Sequence, residues 1–399
     1  MNDFSFIDNE LQDLLDKNLI RELNTIVTAN GPWVELSNGE RVLQFASNNY
    51  LGLANHPDLI NASKAAVSKY GVGSSGSRLL SGTLELHYEL EKHIADFQGT
   101  ESSIFFNSGF SANVGVLSAL INENDAVYSD ELNHASIIDG IKLSRARKFI
   151  YQHNNMDDLE RLIKENSSKF KRNYIVTDTV FSMDGDLADL KNIGLIAEKY
   201  NCINIIDEAH AVGVFGKEGR GLVDELGVSN YFPVRIGTCS KAMGVEGGYC
   251  AGPENLIKYL QNKARSFIFS TASSPSVVGT LLKALELVRE SDWRREKLWS
   301  NANKLHSGLN KNYKLKLSSF KTPIIIVYFN STDEAVNISK RLFEECHVWA
   351  PAIRPPSVSV ARIRLSPISP HSEDDINYVI KAFNHVSVDI KVQPLLINK

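Results

Sequence analysis

Apolar positions recur along this chain with two periods, and glycines, serines and prolines gather where the period changes. Over residues 8–29, Leu11, Leu14, Leu15, Leu19, Ile20, Leu23 and Ile26 fall at helical spacing with acidic residues early, which predicts an amphipathic helix carrying Arg21. Gly31-Pro32 breaks that pattern. Two apolar runs, Trp33–Leu36 and Val42–Phe45, flank Asn38-Gly39, a strong hairpin signal. Helices are predicted near 57–70 and over 84–98. Between them, Gly71–Thr83 is too glycine-rich for helix or strand. Its glycine spacing and the lack of a feeding strand argue against a dinucleotide loop, leaving a flexible loop folded over a site or a plain linker.

From residue 103 short apolar runs alternate with helical stretches, the signature of a parallel sheet with crossover helices. Ser103–Phe106, Asp125–Tyr128, Asn173–Thr177, Ile203–Ile206 and Phe232–Ile236 read as strands, and a helix is predicted over 112–121. Beyond 285 the character changes to a charged helix over 289–310, short strands, Pro-rich turns, a strand at Arg362–Leu365 and a helix over 373–386. These shifts divide the chain into an N-terminal helix and hairpin segment (1–48), a large α/β domain (49–285) and an α+β C-terminal domain (286–399).

Composition narrows the function. The 399 residues carry 43% hydrophobic and 23% charged residues, as expected of a soluble globular protein. A net charge of -4 with no basic stripe gives no reason to expect nucleic-acid binding. The four cysteines, Cys202, Cys239, Cys250 and Cys346, lack paired or metal-type spacing and predict reduced thiols. The acidic start does not resemble a signal peptide, and no apolar run approaches the roughly 18–20 residues of a membrane span, so a cytoplasmic protein without membrane contact is expected.

Candidate chemistry clusters just after the predicted strands, where ligands collect in open α/β sheets. Lys241 follows the strand Phe232–Ile236 among small residues that let a flat group approach the backbone, and a lysine there can form a Schiff base; the competing reading is a surface lysine in a Gly-rich loop. Asp207 directly follows Ile203–Ile206, and a buried aspartate is costly unless paired with a cation, such as a pyridinium nitrogen. A Mg²⁺ site using Asp207 and Glu208 is the rival, without a phosphate loop upstream to support it. The turn Asn107–Asn113 opens a helix and offers free N–H groups to a phosphate, or else is simply capped by Ser108 or Ser111. His134 also follows a strand end. Arg362 and Arg364 share one strand face, either as a solvated edge or with one forked onto a substrate carboxylate.

Taken together, Ser47–Gly52, Asn133–Ser136, Phe181–Asp186, Asp207–Gly213 and Ser240–Ala242 resemble, in order, the motifs of the α-oxoamine synthases, a family of pyridoxal 5'-phosphate (PLP) enzymes. The resemblance spans nearly the whole chain. It implies fold type I, with a mostly parallel seven-stranded sheet between helices and a smaller α+β domain. It also implies an acyltransferase joining an amino acid to an acyl thioester with loss of CO2. Gly76–Thr83 and Ala352–Pro356 point to the biotin-pathway branch, which takes L-alanine and a pimeloyl thioester of CoA or acyl carrier protein; siblings use glycine or serine. The chain departs from the family pattern at Ser357–Ala361, which is short, at Phe269–Pro275, which has one proline, and at Pro323–Val327.

The resemblance assigns roles residue by residue. Lys241 carries the cofactor and moves the Cα proton, Asp207 holds the pyridinium N–H, and His134 stacks on the ring. Ser182 and His210 lie beside the phenolic oxygen, with His210 a further proton donor. Ser108, Gly109, Phe110 and Thr238 line the phosphate and ring edge. Ser270 and Thr271 complete the phosphate site across a homodimer interface with shared active sites. Arg364 takes the amino-acid carboxylate, and Arg21 and Asn48 face the substrate pockets. Non-catalytic subunits among the sphingolipid relatives typically lose the lysine that this chain keeps.

Overall fold

The structure, a computed structural model, describes residues 4–17, 19–20 and 23–388. Its centre is a seven-stranded sheet in the order Ser102–Phe106, Gly248–Gly252, Val234–Thr238, Ile203–Asp207, Asn173–Asp178, Ala126–Asp130, Arg147–Tyr151. Six strands run in one direction, and Gly248–Gly252 runs antiparallel to both of its neighbours. The alternation of side chains across the pleat sorts each strand between two cores. Phe105, Tyr128, Ile175, Ile206 and Tyr249 pack on one face, and Ile104, Val127, Val176, Ile205 and Cys250 on the other. Both faces are covered by helices, which is why these strands read as nearly continuous apolar runs. This is the expected α/β fold with its mostly parallel seven-stranded sheet.

Two smaller sheets flank it. Lys316–Leu317, Ile325–Tyr328, Arg362–Leu365 and Ala352–Ile353 form an antiparallel sheet of four. The Asn38-Gly39 hairpin, Trp33–Glu35 with Arg41–Gln44, is joined by Val348–Trp349 in parallel. Leu43 and Phe45 of the hairpin share a core with Leu305, Val327, Ile363 and Phe383, so both ends of the chain build one body.

Three expectations are corrected. The first helix runs over Ser5–Asp16 and does not reach residue 29. The run Thr25-Ile26-Val27-Thr28 is β-branched throughout, disfavours helix, and lies along the hairpin, with Val27 N–H donating to Glu35 O and Ile26 bridged to Leu36. The helix expected over 112–121 starts at Gly109, because Ser108 caps it. The segment 71–83 is anchored: Arg78 forks onto Glu91 through two bonds of 2.9 Å, both side chains buried, and Ala272 N–H donates to Gly76 O. Among the described residues no helix is long and apolar enough to cross a membrane.

Candidate active site

The carboxyl ends of the parallel strands deliver acids to one place. Asp178 and Asp207 end adjacent strands in direct register, and both are buried. The strand Val234–Thr238 turns there into Cys239-Ser240-Lys241. Among the described residues Lys241 Nζ has no hydrogen-bond or ion-pair partner. Burial lowers its pKa to about 8 against the opposing pull of Asp207 and Asp178, with Arg364 adding to the lowering. The amine therefore loses its proton far more readily than an ordinary lysine, and a neutral fraction of about a tenth is present at pH 7, as a nucleophile or base requires.

Asp207 is held on both oxygens. Oδ1 accepts from Ala209 N–H at 2.7 Å, and Oδ2 accepts from Asn113 Nδ2 at 2.6 Å. The same amide donates to Ser136 Oγ at 2.9 Å, and Ser136 Oγ lies 2.7 Å from His134 Nδ1. The Ser136 N–H also points at Nδ1, so this nitrogen accepts and the proton sits on Nε2. Burial lowers the His134 pKa, Asp207 opposes and Lys241 adds, keeping the ring neutral. Burial and the Asp207 charge push Asp178 well up; Asp178 Oδ2 accepts the His134 backbone N–H at 2.7 Å.

A second chain of bonds arrives from the four-stranded sheet. Arg364 Nε donates to Ser182 O at 2.7 Å, and Nη2 donates to Asn48 Oδ1 at 2.9 Å and to the Tyr50 hydroxyl at 3.4 Å. Tyr50, its phenol pushed up by burial, stays protonated and donates to His210 Nδ1 at 2.7 Å. His210 is therefore the Nε2–H tautomer, and burial, then the charges of Lys241 and Arg364, keeps it uncharged. Arg362, two residues before Arg364 on the same face, is spent on the Met183 carbonyl and the Asp184 carboxylate. Arg364 has no acidic partner among the described residues.

The third part is a cradle at the start of the helix Gly109–Leu120. Ser108 Oγ accepts from Ser111 N–H at 3.0 Å as its N-cap. A Cβ on Gly109 would stand 3.0 Å from Thr238 Cβ, so a larger residue would push the strand end and the helix start apart by a few tenths of an ångström. Thr238 Oγ1 and Ser240 Oγ are 2.9 Å apart beside this gap.

Comparison with known proteins follows this geometry closely. The model of the aminotransferase class I and II family matches residues 40–383. The chain belongs to this family. A curated relative, the 8-amino-7-oxononanoate synthase of Thermoanaerobacter pseudethanolicus, is 41% identical and covers 98% of this chain and 99% of its own. Among solved structures, a serine palmitoyltransferase of S. paucimobilis with bound PLP superposes with TM-score 0.90 at 30% identity, covering 96% and 97%. The 8-amino-7-oxononanoate synthase of Francisella tularensis gives TM-score 0.75 at 29% identity, covering 87% and 97%. The fold agrees with both enzymes, while sequence identity is higher to the curated oxononanoate synthase.

The residues present fit the cofactor implied by this family and by the resemblance. An amine of lowered pKa stands with a carboxylate held by an amide, a capped helix start offers N–H groups, and Asn113 Oδ1, buried without a hydrogen-bond partner, marks a polar site not closed by the protein alone. The bonds described above gather Asp207 with His134, and Arg364 with Asn48, Ser182 and His210. Lys241 is electrostatically coupled to both groups. Ser108, Gly109 and Thr238 form the cradle, and Phe110 stands half out of the surface beside it. Thr271 lies near that cradle, its carbonyl accepting from Asn107 Nδ2 at 2.8 Å, while among the described residues no hydrogen bond joins Ser270 to Lys241 or Asp207. Arg21 lies outside the described residues. The rival Mg²⁺ pair separates: Glu208 turns away to accept the N–H groups of Leu222 and Val223.

Four side chains escaped the sequence reading. Tyr50 and Ser136 stood inside recognised motifs without a role. Asn113 is one helical turn after Gly109, a polar exception among apolar neighbours. Asp178 follows a strand end just as Asp207 does, and that signal was sufficient to find it.

Proposed function

We propose that this chain is a PLP-dependent acyltransferase of biotin biosynthesis, joining L-alanine to a pimeloyl thioester of CoA or acyl carrier protein and releasing free thiol, CO2 and 8-amino-7-oxononanoate. The carrying observation is Lys241, a buried amine lowered to about 8 beside Asp207; the identity to an 8-amino-7-oxononanoate synthase over almost the whole chain supports the substrate.

When bound, PLP supplies an electron sink for negative charge at the amino-acid Cα. Lys241 holds the cofactor and, once displaced by the amino acid, takes the Cα proton as a neutral amine. Asp207, aimed by Asn113, accepts the pyridinium N–H. His134 covers the ring with a neutral imidazole. Ser108, Gly109, Thr238 and Ser240 seat the phosphate with the positive end of the helix Gly109–Leu120. Ser270 and Thr271 complete that seat from the second copy of a homodimer. Arg364 pairs with the amino-acid carboxylate, and Asn48 and Ser182 hold the guanidinium in place. The new Cα–C bond expels the thiolate, the carboxyl group leaves as CO2, and a proton returns to Cα from the side of Lys241 and His210.

The test is a spectral titration of the purified protein with L-alanine, glycine and L-serine, followed by pimeloyl-CoA. A visible cofactor band that shifts with L-alanine, then CoA release on adding pimeloyl-CoA, is the expected result. A band that answers only to glycine or serine would move the substrate to a sibling reaction; no band with added PLP would overturn the assignment of Lys241.

A further inference from the structure

The loop Phe181–Asp186 contributes Ser182 to the site, but its acids Asp184 and Asp186 point elsewhere. Asp184 meets Arg362. Asp186 meets His153, which stands on the far side of the loop, before the helix Met156–Asn166. His153 Nδ1 donates to Asp130 Oδ1 at 2.9 Å and Nε2 donates to Asp186 Oδ2 at 2.8 Å. Both ring nitrogens face carboxylates, so both carry protons. Burial alone would lower the His153 pKa, but the bonds to Asp130 and Asp186 outweigh it and raise it to about 10. The ring is wedged edge-on to Phe181, with centroids 4.4 Å apart. The next residue repeats the tie: Asn154 N–H donates to Asp130 Oδ2 at 3.0 Å, and its Nδ2 donates to Leu187 O at 2.7 Å. Asp130 ends a strand of the large sheet and is buried. His153 is thus a cation bolting the loop to the sheet, and the loop's Ser182 carbonyl is the acceptor that aims Arg364.

We propose that His153 is a positioning residue for the amino-acid carboxylate: it fixes the loop Phe181–Asp186 to the sheet and thereby sets the carbonyl against which Arg364 is held. This rests on the reading of Arg364 as the carboxylate partner. Without the His153 cation, Asp130 and Asp186 face each other unneutralised. The loop then loses its tie to the large sheet through Asp130 and is left with the bonds of Arg362 to Asp184 and the Met183 carbonyl, of Arg364 to the Ser182 carbonyl, and of Thr322 Oγ1 to Gly185 O at 2.8 Å. Gly185, at φ +70°, packs so closely under Ile324 that a Cβ there would stand 2.5 Å from the Ile324 carbonyl oxygen.

The experiment compares wild-type, His153→Gln and Asp186→Asn holoenzymes in three measurements: amino-acid binding from the shift of the visible cofactor band, KM for the acyl thioester, and Tm. His153→Gln is expected to weaken L-alanine binding about tenfold, the equivalent of one charge-assisted hydrogen bond. The thioester KM should stay within about twofold and the unliganded band should be intact. Asp186→Asn should show the same split at smaller size, and it decides the matter if His153→Gln does not fold. Unchanged amino-acid binding in a folded variant overturns the proposal. So does parallel loss of amino acid, thioester and cofactor, which would make His153 a general structural residue. Should wild type answer to glycine or serine and not to L-alanine, the proposed substrate fails, while the same comparison run with that amino acid still decides the role of His153.

Discussion

The floor of the site, at the strand ends, and its wall, on the four-stranded sheet, carry opposite imbalances of charge. The floor buries two carboxyl groups, Asp178 (6% exposed) and Asp207 (5%), around the single cation Lys241. The wall buries two guanidinium groups, Arg362 (3%) and Arg364 (7%), against the single acid Asp184. Unmatched buried charge is expensive, and the two regions relieve it differently. At the floor a proton can settle on Asp178, whose pKa is pushed up. Arginine cannot release one. The wall has no internal remedy, so its surplus is a standing attraction for an anionic group, held meanwhile by neutral oxygens of Asn48, Tyr50 and Ser182. On the proposed function, a carboxylate at Arg364 and a pyridinium at Asp207 would balance both accounts with a single amino acid and its cofactor.

The comparison can be broken most severely at its one floor cation. Lys241→Ala should abolish the visible cofactor band and lower turnover by at least about four orders of magnitude, measured as CoA release; wild-type activity would refute the whole assignment. The wall gives the next largest effect. Arg364→Gln should raise the amino-acid KM about a hundredfold, as expected for losing a buried charge-assisted contact of 2–5 kcal/mol, with little change in Tm. Arg362→Gln should do the reverse, lowering Tm more and KM less, because it strips Asp184 of its cation; equal effects from both arginines would erase the distinction between them. The smallest effect sharpens the floor. In cofactor-free protein the rate of PLP capture should follow the neutral fraction of Lys241. The group is protonated below its pKa of about 8, so the rate should rise about tenfold between pH 7 and 9 and level off above about pH 9. A rise continuing toward pH 10.5 would show that burial does not act on the amine.

Much of this was legible beforehand, for identifiable reasons. Strands covered on both faces announce themselves as apolar runs, and the residues just beyond them, Asp207, His134 and Lys241 among them, are thereby placed at the end of the sheet where the candidate site lies. The hairpin was given by Asn38-Gly39. What escaped depends on contacts between distant segments. Nothing local says that Asn113 reaches Asp207, or that Tyr50 joins Arg364 to His210. Nor does anything near His153 indicate that Asp130, at a strand end, and Asp186, in a loop, close on it. The overlong first helix has a different origin: apolar spacing outweighed the β-branched run Thr25–Thr28, whose partner strand was not yet in view.

The antiparallel strand Gly248–Gly252 also governs the order in which the protein can be made. It lies between Ser102–Phe106 and Val234–Thr238, with Ser102 opposite Gly252. The first strand of the sheet to leave the ribosome is therefore the last to find its neighbour, roughly 150 residues later, and no earlier segment can take its place. Until then Ile104, Phe105 and Phe106 form an unpaired apolar edge, the kind of surface on which nascent chains associate wrongly. Assembly of the cofactor cradle waits on the same event, since Ser108 and Gly109 follow directly from that strand.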